Sequence, residues 1–573
     1  MTVASAPARP AIDEPRKLIG VVPPSAAHAR VRLLDALEQA FPVRFEGRPA
    51  TGLTGLDGVL VIAGSDPGFL AKELARLPAC PRLVAFADDQ SRSPLQLHTV
   101  ALAASRVVTR ALRGRALREE CRAAAVSVAV RAGDDLLALA DGRPVWWRHR
   151  DRGSWTDLSA FCPQELGELE SLRDHLRAGR FMGLVPLLHL LAHVCAEQWE
   201  PPPLHASFVI DDPNLHWPSY GYLDYAELAA HASRHGYHLG LAMVPLDGWR
   251  ASPRAASLIR ENPSALSVLM HGNDHRSGEL VRLARTAQAE AVIAQALRRT
   301  AAFERRAGVP VQRVMVPPHE VCSQRALAAM FRLGLDAACI GRRYPWHGRP
   351  ERRSDARAPA EPGAAEAWPL AKWHPTDTVG GLPIIPRHAI DQPWEDLAFR
   401  ALLGQPLVLF GHSADLANGL DVLAAAADYT NGLGRVQWGP LGWIARQCFR
   451  SRRDGEALIV QLHSRRVTVE IPDGVTVLVA QTPSLCGHEP IRYLAAGARR
   501  VPMAREARGW TSAALPVAPG MRLELTLTPE RAVDPAHVST PRPTPWPLMR
   551  RALAEGRDRI QPLSKSLSPS ARC

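Results

Sequence analysis

At 573 residues the chain is too long for one ordinary core, so two or three domains plus tails are expected. Its 46% hydrophobic and 22% charged content is that of a globular protein, and the net charge of +12 rests almost wholly on arginine, the lysines being Lys17, Lys72, Lys372 and Lys565 alone. Those arginines are scattered rather than gathered into a stripe with interleaved aromatics, which argues against nucleic acid as a partner, and nine cysteines without a C-x-x-C pair argue against a disulfide framework or a thiolate zinc site.

The N-terminus has no basic head followed by an apolar run and a small-residue cleavage site, so a signal peptide is not read and a cytoplasmic protein is expected. From Lys17 short apolar runs alternate with helix-like stretches: LIGVV, a helix over Ala27 to Phe41, then VLVIAG (59–64), LVAFA (83–87), VSVAV (126–130) and PVWW (144–147). The alternation predicts a parallel-sheet α/β domain over 17–150, non-catalytic, since it holds no nucleophile elbow and no phosphate-binding glycine loop. At the level of fold it resembles flavodoxin or the class-I glutamine amidotransferases. Residues 151–203 are read as a helical connector. Its apolar run from Phe181 to Cys195 falls short of the roughly 20 residues that span a bilayer, so no transmembrane segment is expected. His189 and His193 in that run are read as helix-face or core histidines, and His231 with His235 as a surface pair, because neither pair encloses the glutamate of a helical zinc motif.

A second α/β series follows, with strand-like runs at 206–210, 238–244, 266–270, 311–316, 335–340, 382–385 and 406–410. Helix-like stretches such as Tyr222 to His235 and Val281 to Ala307 separate them. Seven parallel strands with helical crossovers predict a distorted (β/α)7 barrel over 204–450. Residues 341–369, rich in Arg, Pro and Ala, are read as a surface insertion. Over 451–530 the period changes to two, which predicts a small antiparallel β-domain. The remaining 531–573 is read as a disordered tail with a short helix near Leu548 to Arg557.

In such a barrel, functional side chains gather where strands end, because the loops there form a common mouth. The first strand runs into Asp211-Asp212-Pro213-Asn214 and the third into His271-Gly272-Asn273-Asp274-His275. The fourth runs into Pro317-Pro318-His319-Glu320, and the seventh into Gly411-His412. One carboxylate with two imidazoles suits Zn²⁺ and leaves a position for water; a neighbouring carboxylate can take that water's proton, and a separate imidazole can protonate a leaving group. Among the chain's i, i+4 histidine pairs, His271/His275 is the one that begins at a strand end. The adjacent carboxylates of Asp211 and Asp212 are costly after an apolar strand unless a cation lies near, although a turn using Asx hydrogen bonds would account for them blandly.

This order of strand–Asp-Asp, strand–His-x-x-x-His, strand–Pro-Pro and late strand–His resembles the polysaccharide deacetylase (NodB-homology) family over roughly residues 204–445. The resemblance implies a distorted β/α barrel that removes N- or O-acetyl groups from a carbohydrate or glycoconjugate. It implies Asp211 as catalytic base, Asp212, His271 and His275 as ligands of Zn²⁺ or another divalent transition metal, and His412 as general acid. The sequence departs from that pattern at Gly272, where Ser or Thr is usual, and at Val316 and His319, where the third motif usually carries Arg and Tyr. Orientation of the base and stabilisation of the oxyanion are therefore altered or expected from elsewhere, a backbone N–H at His319 being a candidate for the oxyanion, with Glu320 a candidate for substrate contact. His216, Trp217 and Tyr220, with Tyr222, are read as aromatic groups placed to stack on a sugar, or else as anchors of their own loop, and Trp438 and Trp443 as core. Two other readings stand beside the hydrolase: an inactive carbohydrate-binding barrel, and a glycosidase or non-sugar C–N hydrolase using Asp211 with Glu320.

Overall fold

The computed structural model describes residues 16–63, 78–86, 96–121, 130–151, 153–167, 170, 172–195, 203–341, 377–379, 382–482, 490–506, 509–542 and 544–567. The chain divides into two compact units. The first comprises residues 1–200 with two short segments, 369–374 and 395–403, and the second comprises the rest.

The first unit is built on one sheet of nine strands, β1 (Lys17–Val22), β2 (Val43–Gly47), β3 (Gly58–Ala63), β4 (Arg82–Phe86), β5 (Gln96–Leu102), β6 (Ala116–Cys121), β7 (Asp135–Ala140), β8 (Arg143–Asp151) and β9 (Ser154–Ser159), in the order β2-β1-β3-β4-β9-β8-β7-β5-β6. The five strands β2, β1, β3, β4 and β9 pair in parallel, as the near-continuous apolar runs of β1, β3 and β4 require of strands covered on both faces. Beyond β9 the sheet continues as antiparallel hairpins. The parallel part thus extends past residue 150, and Ser154–Ser159, expected in a helical connector, is a strand. Residues 126–129 of the expected strand at 126–130 lie outside the described residues. Within Val185–Val194, the one α-helix described in the expected connector, His189 is buried and its ring meets Trp146 edge-on with centroids 4.8 Å apart.

The second unit opens with β10 (Leu204–Asp211), a small hairpin of β11 (Ser219–Tyr220) and β12 (Leu223–Asp224), β13 (Leu239–Met243), β14 (Leu266–His271), β15 (Val311–Val316), β16 (Ala337–Ile340), β17 (Asp377–Val379), β18 (Leu382–Ala389), β19 (Leu407–His412) and β20 (Val436–Trp438). The parallel series β13-β14-β15-β16-β18-β19-β10 closes on itself through β10–β13, giving the seven-stranded barrel expected from the seven apolar runs. Parallel neighbours need crossovers, and helices such as Tyr225–His235 and Thr286–Ala307 supply them. The first is fixed at both ends: the Asp224 carboxylate accepts from Ala226 N and Glu227 N, and Gly236 stops it at φ 67°. Side chains alternate along each strand, so Val209, Leu269, Ile385 and Val408 fill the interior together with Leu441, Ile444 and Ala445 of the helix Leu441–Arg446. The insertion read at 341–369 lies, after Gly341, outside the described residues.

The strands β21 (Phe449–Asp454), β22 (Ala457–Leu462), β23 (Arg466–Glu470), β24 (Val477–Gln481), β25 (Ile491–Ala496), β26 (Arg499–Glu506), β27 (Gly509–Ser512), β28 (Leu515–Pro516) and β29 (Arg522–Pro529) form the C-terminal sheet, antiparallel except for the β22–β24 pair. After it comes the helix Trp546–Leu567, which contains the short helix expected near Leu548 to Arg557 and extends it into residues read as a disordered tail. No described helix is long and apolar enough to cross a membrane.

Candidate metal centre

The rows of alternate residues that fill the barrel also deliver its chemistry. Two residues beyond Val209, Leu269 and Ile385 the same inward row ends in Asp211, His271 and Arg387, all buried, while the row through Val408 and Phe410 ends in the exposed His412 at the rim. Period two alone would send Asp212 to the opposite side of the strand from Asp211. It does not, because Asp212 takes φ 70°, a left-handed conformation that costs a non-glycine residue on the order of 1–2 kcal/mol. His275, His319 and Glu320 have φ of 56°, 57° and 58°, so four of the five described non-glycine residues with positive φ lie around this one mouth.

The turn at Asp212 brings three groups together. One ligand atom each from Asp212, His271 and His275 lies within 4.8 Å of the others. Asp212 Oδ1 is 2.9 Å from His275 Nε2 and 3.5 Å from His271 Nε2, yet this buried oxygen has no aligned hydrogen-bond donor. A carboxylate oxygen withdrawn from water and facing two imidazole nitrogens suits a shared cation better than it suits the protein alone. His271 Nδ1 donates to Val316 O at 2.9 Å, which fixes the tautomer and turns the Nε2 lone pair towards Asp212. Burial pushes the His271 imidazole well below its ordinary pKa despite the pull of Asp212, so it stays neutral, as a ligand must. Burial alone would raise the Asp212 carboxyl, but His275, His271 and Arg551 hold it well below the usual carboxylate range. The donor set fits a divalent metal.

The loop between the two histidines is organised by Glu279. Its buried carboxylate accepts from Asn273 N (2.8 Å), Asp274 N (3.0 Å) and His275 N (3.2 Å). Gly272 follows from this: a Cβ there would lie 2.0 Å from Glu279 Oε1 and 2.5 Å from Pro318 Cγ, at φ 65°. The Ser or Thr usual in the resembling family has no room beside this carboxylate.

Asp211 is held by a residue the sequence reading missed. Arg387, from β18, donates through Nη1 to both Asp211 oxygens at 2.9 Å and through Nε to Glu320 Oε1 at 2.9 Å, and lies 3.8 Å over the Phe410 ring. Burial raises the Asp211 carboxyl, and Arg387 opposes that shift more than any other neighbour does. The arginine expected before Pro317 is thus supplied from another strand. A charged residue inside the apolar run LPIIPRHA was the available signal, lost because that strand was read as ending at Ile385. His412 lies opposite Asp211 in the β10–β19 register and its Nδ1 is 3.8 Å from Asp415 Oδ2. The His319 ring packs edge-on to His275 with centroids 4.9 Å apart.

Two members of the expected sugar platform, His216 and Tyr220, are engaged in polar contacts. His216 Nδ1 pairs with Glu555 (2.9 Å) and its Nε2 with Asp247 O (3.1 Å), while Tyr220 donates to Asp558 at 2.5 Å. Arg559 lies 5.3 Å over the Trp217 ring, which is half exposed. These partners all belong to the helix Trp546–Leu567 or to the loop after β13, so His216 and Tyr220 are anchors here, the bland reading of that loop. The same helix sends Arg550 to His275 O and Arg551 to Asp247, the latter with Nη1 3.6 Å from Asp212 Oδ1. Trp438 stacks on the buried Phe208, and Trp443 packs against the barrel core, as expected.

No family model matches the sequence, and no curated protein matches it. Solved structures do. A family 4 carbohydrate esterase from Streptomyces lividans, in complex with acetate, is 14% identical with TM-score 0.26, over 42% of this chain and 93% of that one. A CE4 esterase from Streptococcus mutans is 13% identical with TM-score 0.24, over 42% and 85%. With scores this low, the functional reading rests on the site's own geometry. The structure with the higher TM-score, 0.31, is a candidate polysaccharide deacetylase from Mycobacterium smegmatis, 12% identical over 44% of this chain and 91% of that one.

Proposed function

We propose that this chain is a metal-dependent hydrolase that removes acetyl groups from an N- or O-acetylated carbohydrate or glycoconjugate. The observation that carries the reading is the buried, unsatisfied Asp212 Oδ1 facing two imidazole nitrogens, with a second carboxylate beside it. Asp212, His271 and His275 would hold a divalent cation, Zn²⁺ suiting the donor set. When bound, such an ion polarises a carbonyl and brings the pKa of a water towards about 7.

The chain's own groups do the rest. Arg387 keeps both Asp211 oxygens oriented and partly neutralised at the floor of the mouth, so Asp211 can take the proton of the attacking water. As the acyl C–N or C–O bond breaks, His412 at the rim gives its proton to the leaving nitrogen or oxygen, and acetate departs. The left-handed turns at Asp212 and His275 hold these groups in place before substrate arrives. A glycosidase is disfavoured because Asp211 and Glu320 engage the same guanidinium rather than facing each other across a substrate.

The test is acetate release from N-acetylated glycans. Asp211→Asn is expected to lower turnover by about two to four orders of magnitude, the usual contribution of a general base, and His271→Ala to abolish it. Unchanged turnover in both would end the proposal. One observation favours a second reading, an inactive carbohydrate-binding barrel: Arg551 already places a cation 3.6 Å from Asp212 Oδ1. That reading requires glycan binding by the wild type with no acetate released.

A further inference from the structure

The helix Trp546–Leu567 is amphipathic the wrong way round for a helix packed on a barrel. Its polar side chains Arg551, Glu555 and Asp558 face inward, where they meet Asp247, His216 and Tyr220. Its large apolar side chains face out: Trp546 is 57% exposed, Met549 55%, Leu553 68% and Ile560 63%. These four recur at spacings of three, four and seven, so they form one stripe along one side of the helix. Soluble surfaces seldom carry such a stripe without an occupant, and no described residue covers it.

The charges say which occupant. Of the helix's basic residues, Arg550 and Arg551 are turned onto the barrel, while Arg557 and Arg559 pair with Asp558 and Glu555 and lie outside them, their side chains 67% and 34% exposed against 12% and 18%. Both acidic side chains also reach the barrel, in contacts of 2.9 and 2.5 Å, so the outward member of each pair is the basic one. Arg557 flanks the stripe exposed, and Arg542 lies exposed just before the helix. An apolar face with a tryptophan at one end, basic flanks and too little hydropathy to span is the pattern of a helix lying in the plane of a lipid headgroup layer.

We propose that the helix Trp546–Leu567 is a peripheral docking element for an anionic lipid surface, seated with its outer stripe in the headgroup–acyl boundary while its inner face stays on the barrel. This docking is independent of the metal reading, and its test involves no turnover.

The experiment is co-sedimentation of the full chain with phosphatidylcholine vesicles, with and without roughly a quarter phosphatidylserine. The wild type should pellet with the anionic vesicles and be released by about 0.5 M salt, which shortens the screening length to a few ångström. Leu553→Glu with Ile560→Glu, both exposed and outside the site, should lower partitioning by on the order of a hundredfold, about tenfold for each side chain no longer buried in lipid. Arg557→Glu, with its circular dichroism checked because it removes the 2.7 Å pair with Asp558, should weaken binding to anionic vesicles by about thirtyfold, two charge units near the surface being involved. A wild type left in the supernatant, or variants that pellet like it, would overturn docking. So would sedimentation velocity showing that the stripe is consumed in a dimer that Leu553→Glu dissolves.

Discussion

Arg387→Met isolates what holds the Asp211 carboxylate at the floor of the barrel. The Arg387 side chain is 1% exposed and that of Asp211 4%, and the two share paired contacts of 2.9 Å. Methionine keeps much of the volume but leaves a buried carboxylate with no counter-charge. Breaking a buried pair from one side costs about 3–5 kcal/mol, whereas removing both charges is often close to neutral. Glu320, 22% exposed, can be rehydrated and adds little to the cost. The single variant should therefore lose about 3–5 kcal/mol in urea denaturation of the metal-stripped chain, and Arg387→Met with Asp211→Asn should recover most of it. The sign with pH follows. Burial already raises the Asp211 carboxyl, and loss of Arg387 raises it further. A carboxyl raised in the fold contributes stability that is fully present below its unfolded pKa and lost as pH rises through its folded one. The deficit of the single variant should thus be largest at neutral pH and shrink towards acid. A single variant within about 1 kcal/mol of wild type, or a double variant no better than the single, would refute the role given to Arg387.

Two further substitutions test other parts of the account. Gly272→Ala forces a Cβ against Glu279 Oε1 and Pro318 in a left-handed backbone, and should cost about 2–4 kcal/mol while weakening metal retention; an unchanged melting temperature and metal content would contradict the packing described. In the first unit, burial holds His189 down to about 3, so the folded chain resists a proton that the unfolded chain takes up. Stability is therefore lost as pH falls from the ordinary histidine value towards about 3, and His189→Leu should remove about 2 kcal/mol of that loss near pH 5. Parallel pH profiles for wild type and variant would show that His189 is not the group responsible.

The barrel was legible because its strands are buried on all sides and write themselves as unbroken apolar runs, such as LGLAM and LSVLM. The ligand residues stood out for the matching reason: Asp and His are out of place at the ends of such runs. What could not be read were features set by distant partners. The backbone turn at Asp212 depends on its surroundings, not on Asp-Pro alone. Arg387 is tolerable in an apolar strand only because Asp211, 176 positions away, meets it. Of the helix Trp546–Leu567 only the stretch near Leu548 to Arg557 was read, because the Pro, Ser and Arg content around it signals disorder. Its order comes from ion pairs with His216 and Asp247 that no local pattern announces. Strands β5, β6, β7 and β9 were missed because charged and apolar residues mix along them, as in the ALREEC of β6, whereas the PVWW run of β8 was read.

The most direct test of the central claim is metal content. The purified full chain, measured by inductively coupled plasma mass spectrometry after gel filtration, should carry one divalent transition-metal ion per chain. Asp212→Asn and His271→Ala should carry almost none while keeping the wild-type circular dichroism. A well-folded wild type that takes up no divalent ion on titration, or variants that retain it in full, would contradict the account.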